Sequence, residues 1–126
     1  AFLKGNQLTM SSAGMPPYFI YRAENQSTEE IMLSGIPLGS FNKVDYDELT
    51  TTFKKGDILA IISDGLAEAP NQKGELFDYT QIQSIITENS HLSSKALIEK
   101  LMGHADMWLA GAHNPDDITI VIIKHD

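Results

Sequence analysis

The sequence predicts an α+β domain, with antiparallel β-sheets flanked by helices. Two runs carry the strand half of that expectation: Ile58–Ser63, almost wholly apolar, and Ile118–Ile123, both reading as buried strands. Helical spacing of apolar residues occurs between them, over Thr80–Glu88 and again over Lys95–Ala110. Ahead of the first run, short strand-like pieces follow one another through Gly- and Pro-containing links, the pattern of antiparallel strands.

Taken in order, "QLTMSS" (Gln7–Ser12) and "YFIYR" (Tyr18–Arg22) are strands either side of the turn "AGMPP". "EEIMLSG" (Glu29–Gly35) is a third, ended by "GIPLG", where Pro37 and Gly39 break regular structure. In "VDYDELTTTF", Val44, Tyr46, Leu49 and Phe53 can share a core face, so Val44–Phe53 is read as a strand. "KKGD" (Lys54–Asp57) is a hairpin-type turn into Ile58–Ser63. Ile82, Ile85 and Ile86 form the inner face of the first helix. Ala96, Leu97, Leu101, Ala105, Trp108 and Leu109 form that of the second, with Ser93 or Ser94 as N-cap and Gly111 as C-cap. Met102 and Trp108 belong to or border that face and are assigned to the core. After "AHNPDD" the last strand needs a neighbour, and Ile58–Ser63 is the natural one, with central placement suiting both.

A chain of 126 residues fits one domain, without repeats or linkers, and can bury roughly two thirds of its unfolded surface. No window is apolar for long enough to cross a bilayer, and "AFLKGNQLTM" lacks the features of a signal peptide, so no membrane contact is expected. The absence of cysteine excludes disulfides and thiolate metal sites and fits a reducing, cytoplasmic interior. A net charge of −8 with scattered basic residues excludes nucleic acid as a partner.

The chemistry-bearing residues stand at the ends of the two apolar runs. Asp64 follows the first directly; Asp116 and Asp117 directly precede the second. If the strands pair antiparallel, these carboxylates meet at one sheet edge. Carboxylates brought close either share a proton or bind a cation, and oxygen donors alone favour Mg²⁺ or Mn²⁺ over Zn²⁺. Gly65 would let backbone pass close to whatever is bound. Asp-Gly is also a common turn and Asp before a strand is ordinary, so spacing alone leaves a surface turn and a metal site both open.

Four segments together resemble the later part of a metal-dependent Ser/Thr protein phosphatase of the type 2C (PPM) superfamily, in its bacterial SpoIIE-like branch. "MSSAGMPPYFIY" is similar to the family's Ala-Gly-His-x-Pro segment, and "SGIPLG" to its Gly-x-Pro-Leu-Gly. "GDILAIISDGLAEAPNQKGELF" is similar to its strand ending in Asp-Gly and running on to Glu-Ala, and "NPDDITIVIIK" to its closing Asp-Asp-Ile-Thr strand. The resemblance implies a partial αββα sandwich. It also implies a phosphoserine/phosphothreonine phosphatase in which two Mn²⁺ or Mg²⁺ ions activate a water. By position it makes Asp64 and Asp116 the catalytic, metal-ligating aspartates, with Gly65 in the same metal site and Asp117 supporting from behind. As partners it implies a phosphorylated bacterial regulatory protein of the anti-sigma-factor antagonist type and an upstream sensor domain.

Two departures qualify these expectations. The family's Gly-Asp-x-x-Asp type segment, which supplies the aspartate bridging the two ions, is absent. Residues 1–126 are therefore expected to be the C-terminal portion of the domain, with weak metal binding and little activity alone, and with uncovered apolar surface open to self-association. Met15 stands where relatives usually have His, and Asp78 where Gly often follows Phe77. His91, His104, His113 and His125 lack ligand spacing, and His113 is assigned a surface or capping role. The alternative to an enzyme is a catalytically dead phosphatase-like module that keeps the fold for interaction.

Overall fold

A computed structural model describes all residues, Ala1–Asp126, in three layers. Strands β1 (Phe2–Lys4), β2 (Gln7–Ser11) and β5 (Glu48–Thr52) form one antiparallel sheet in the order β1-β2-β5. Strands β3 (Tyr18–Arg22), β4 (Ser27–Ile31), β6 (Ile58–Ile62) and β7 (Ile120–Lys124) form the second, in the order β4-β3-β6-β7. Helices α2 (Tyr79–Glu88) and α3 (Ser94–Leu109) cover its outer face; α1 (Asp64–Ala67) is a single turn after β6.

Strand alternation explains why the layers separate so cleanly. In β3, Tyr18 and Ile20 point toward β2 and β5, whereas Phe19 and Tyr21 point toward the helices. In β6, Leu59 joins the first set, and Ile58, Ala60 and Ile62 join the second. Both faces of these two strands are thus covered. Leu8, Met10 and Phe53 close the space between the sheets, and Ile82, Ile85, Ile86, Leu97, Leu101 and Ala105 close the helical side. Ser93 caps α3, its hydroxyl accepting the Ala96 N–H at 3.2 Å, as the sequence suggests. Trp108 lies edge-on to Phe77, and its indole N–H donates to the carbonyls of Ala69 and Glu75, which pins the loop after α1 to α3.

Several expectations need correction. The final strand is not central: β7 is an edge strand with one neighbour, and Val121 and Ile123 are 45% and 37% exposed. Its run is apolar except for Thr119, but only Ile118, Ile120 and Ile122 reach the core beneath the helices. "KKGD" does reverse the chain, with Asp57 N–H bonded to Lys54 O at 2.9 Å and Gly56 at φ 90°. It is not a hairpin, because β5 and β6 lie in different sheets and the turn crosses between them. The strand over Val44–Phe53 shrinks to Glu48–Thr52, and β4 starts earlier than expected and ends at Ile31. At the end of α3 the left-handed residue next to the helix is Ala110, at φ 46°, ahead of Gly111 at φ 88°.

Candidate functional site

β6 and β7 pair antiparallel, Ile62 opposite Ile120 and Ile58 opposite Lys124. That register brings the C-terminal end of β6 to the N-terminal end of β7. Beyond the last paired residues the two chains remain tied. Ser63 N–H donates to Thr119 O at 2.9 Å, and Ser63 Oγ accepts the Thr119 N–H at 2.9 Å and donates to Asp117 O at 3.2 Å. Asp64 opens α1 directly after this clamp.

Gly65 is buried where the two turns touch. A Cβ on it would stand 2.3 Å from Asp117 O and 3.4 Å from the carbonyl carbon of Asp116. Only a glycine lets the backbones approach this closely. The Gly65 carbonyl accepts from Asn114 Nδ2 at 3.0 Å, and the Asp117 N–H donates to Asp116 Oδ1 at 2.8 Å. The structure therefore brings Asp64, Gly65, Asp116 and Asp117 to one end of the sheet, with all three carboxyl-bearing residues exposed and Gly65 buried. His113 is also exposed. His125 lies at the other end, stacked on Phe53 with its Nδ1 2.9 Å from Phe53 O.

More carboxylates gather beside Asp64 than the sequence suggested. Burial raises the Tyr79 phenol above its ordinary pKa, and the negative charges of Glu68, Asp64, Glu30 and Asp78 raise it further. Tyr79, Glu68 and Asp78, with Ala67 and Leu76, line a cavity of about 380 Å³. Asp78 occupies a backbone conformation with φ 72° and ψ 152°, which explains why glycine suits this position. A larger cavity, of about 420 Å³, lies at the opposite end between Arg22, Glu24, Lys54 and Asp57. Its charges neutralise one another, Arg22 with Asp57 and Glu29, Lys54 with Glu24, so it is the weaker site despite its volume.

The donors at the acidic end are hard oxygens, which suit Mg²⁺ or Mn²⁺. Asp64 and Asp116 would hold such an ion. The Gly65 carbonyl is already engaged by Asn114, and no group of three or more His, Asp or Glu side chains converges tightly enough to hold a metal by itself. The two aspartates would supply only part of the coordination such an ion needs. Sequence reasoning placed Asp64 and the Asp116–Asp117 pair at this end from the ends of the apolar runs. It missed Ser63 and Asn114, whose roles exist only once the turns are apposed; Tyr79 was missed because its surroundings come from three separate segments.

The profile of the family described as Stage II sporulation protein E (SpoIIE) matches residues 2–126. Phosphoserine phosphatase RsbU of Bacillus subtilis (strain 168) is 25% identical over 119 residues, spanning 94% of this chain and 35% of that protein. Among solved structures, the SiaA-PP2C domain of Pseudomonas aeruginosa superposes with a TM-score of 0.80 at 16% identity, covering 96% of this chain and 47% of that one. The PP2C phosphatase domain of SpoIIE from Bacillus subtilis, with a fragment of its regulatory domain, gives a TM-score of 0.75 at 23% identity, covering 94% and 34%. The chain thus spans about a third of the length of its curated relative, and the structural likenesses establish the sandwich architecture.

Proposed function

The chain belongs to the SpoIIE family, and on that premise we propose that it forms part of a metal-dependent phosphoserine/phosphothreonine protein phosphatase. The observation that carries the proposal is the clamp between Ser63 and Thr119, which sets the Asp64 turn against the Asp116 turn at one sheet edge. RsbU, similar over 94% of this chain, is named a phosphoserine phosphatase and supports the same reading. The proposed substrate is a phosphorylated bacterial regulatory protein of the anti-sigma-factor antagonist type, and the proposed setting is the cytoplasm. No helix is long and apolar enough to cross a membrane.

Charge explains why a cation is required. A phosphoryl group approaching Asp64 and Asp116 meets like charge on a protein of net charge −8, and without a counter-ion it is repelled. Asp64 and Asp116 would hold Mn²⁺ or Mg²⁺. When bound, such ions lower the pKa of a coordinated water and neutralise phosphoryl oxygens. Asp117 supports Asp116 through its backbone N–H, which fixes one carboxylate oxygen and leaves the other free. This chain contains no cysteine and so supplies no thiolate nucleophile of its own, in keeping with attack by water.

The test is Mn²⁺-dependent phosphate release from a phosphoserine protein by the full-length protein that carries this chain. Asp64→Asn and Asp116→Asn should each lower turnover by at least about a hundredfold, since metal assistance contributes several kcal/mol to such reactions. Unchanged turnover in either variant sinks the assignment. A second reading, an interaction module that keeps the fold without turnover, draws on the lack of a three-ligand cluster. It takes over if the wild-type protein is folded and inactive with Mn²⁺ and with Mg²⁺.

A further inference from the structure

We infer that Asn114 is a positioning residue that sets the spacing of the two acidic turns, an inference that rests on the metal-site reading above. Asn114 stands in the Asp116 turn, and its side-chain amide crosses to the Asp64 turn while also bonding within its own. Nδ2 donates to Gly65 O at 3.0 Å, and Oδ1 accepts the Asp116 N–H at 3.5 Å. Gly65 follows Asp64 directly, so one planar amide spans the peptide beside one aspartate and the N–H of the other.

The Gly65 carbonyl requires such a partner. α1 is a single turn, and the Ala69 N–H, which would meet Gly65 O in a longer helix, donates instead to Leu66 O at 3.3 Å. Gly65 is buried, so its carbonyl would otherwise be left unpaired away from water. Asparagine is suited to the position because one short side chain both donates and accepts. Aspartate would set a carboxylate against the Gly65 carbonyl, and serine is too short to span both groups. Ser63 ties the strands through Thr119 and Asp117 O, and Asn114 adds a second tie at Gly65 O, so the turns are held at two points.

The consequence is a change in cation affinity separable from a change in fold. Mn²⁺ alone is titrated into the full-length protein, with the free ion read by electron paramagnetic resonance and folding by circular dichroism. Wild type is compared with Asp64→Asn, Asn114→Ala and Asn114→Ser. A remote control, Ile85→Val, loosens the helical core without touching the turns. The expected result is a Kd for Mn²⁺ raised about tenfold or more in both Asn114 variants, the usual effect of removing a residue that orients a ligand. Ile85→Val should melt earlier yet keep the wild-type Kd. Should Asn114→Ala fail to fold, Asn114→Ser carries the comparison. Wild-type Kd in a folded Asn114 variant, while Asp64→Asn weakens binding, overturns the role of Asn114 and leaves the metal site standing. Equal loss of affinity in Ile85→Val also overturns it, since any loosening would then suffice. Binding that is absent, or indifferent to Asp64, overturns the metal-site reading and this inference with it.

Discussion

Substituting Gly65 by alanine is the most direct perturbation of the acidic end. The added methyl carbon would sit 2.3 Å from Asp117 O and 2.9 Å from Asp117 C. Both are backbone atoms, so no side-chain rotation relieves the clash. The Asp116–Asp117 segment must retreat by about 1 Å to reach ordinary van der Waals separation. That movement strains the Ser63–Thr119 pair of bonds and the Asn114 bond to Gly65 O. Gly65 does not have positive φ, so the clash is one of space and not of backbone conformation. Overpacking of this kind costs about 1–3 kcal/mol. For a domain of this size each kcal/mol lowers Tm by roughly 3–6 °C, so a fall of about 5–15 °C is expected in a thermal melt followed by circular dichroism. Amide hydrogen exchange should localise the damage, with Ser63 and Thr119 losing protection while Ile58–Ala60 keep theirs. A Gly65→Ala protein that melts within about 1 °C of wild type, with those two amides still protected, would refute the close apposition of the turns.

Three further outcomes follow from other parts of the molecule. Asp78→Gly should stabilise by about 1 kcal/mol in urea unfolding: glycine relieves the φ 72° conformation and gives up the bond from the Tyr79 N–H to the Asp78 carboxylate. Asp57→Ala should destabilise by about 2–4 kcal/mol, because it leaves the N–H groups of Ala23 and Lys54 unpaired and takes from Arg22 one of its two carboxylate partners, Glu29 remaining; Asp57→Asn should cost less. Tyr79 titrates above its ordinary value because of burial first and neighbouring carboxylates second, so the folded state favours the protonated phenol. Its contribution is complete below about pH 10 and is lost as pH rises through the raised folded value, so Tyr79→Phe should flatten the alkaline loss of stability in unfolding measured across that range.

Much of the scaffold could be read from local pattern. The isoleucines of α2 and the Leu97–Leu101–Ala105 stripe of α3 are buried where helical spacing puts them, because each helix has one core to face. The edge position of β7 was not legible. Apolar residues on both faces of a strand look alike whether or not both faces are covered, and Val121 and Ile123 remain uncovered. The Lys54–Asp57 turn shows a related limit: turn chemistry states that the chain reverses, not which strand it then meets. The placement of Asp64 and of the Asp116–Asp117 pair at the ends of apolar runs was legible; the choice of Asp116 over Asp117 came from the family resemblance alone. Asn114 was not legible, since its bond to Gly65 O joins turns about fifty residues apart in the chain, whereas its contact with the Asp116 N–H is local.

β6 has an aspartate near each end, and the contrast between them is why the proposed site lies at one end and not the other. Asp57, 2% exposed, accepts from Ala23 N–H and Lys54 N–H at 3.0 Å and from Arg22 at 3.4 Å. Its charge is fully compensated, and it locks β3 and the crossing turn together. Asp64 is exposed beside a second acidic turn, with Tyr79 among the carboxylates rather than an arginine. Like charges held on adjoining turns are tolerated by hydration or by a cation, and either arrangement can exchange with solvent. Between the two lie Ile58, Leu59 and Ala60, all fully buried, so Asp64 directly follows a strand anchored in the core. A carboxylate without a protein counter-charge is open to a cation, as proposed for Asp64, whereas the compensated Asp57 holds the fold.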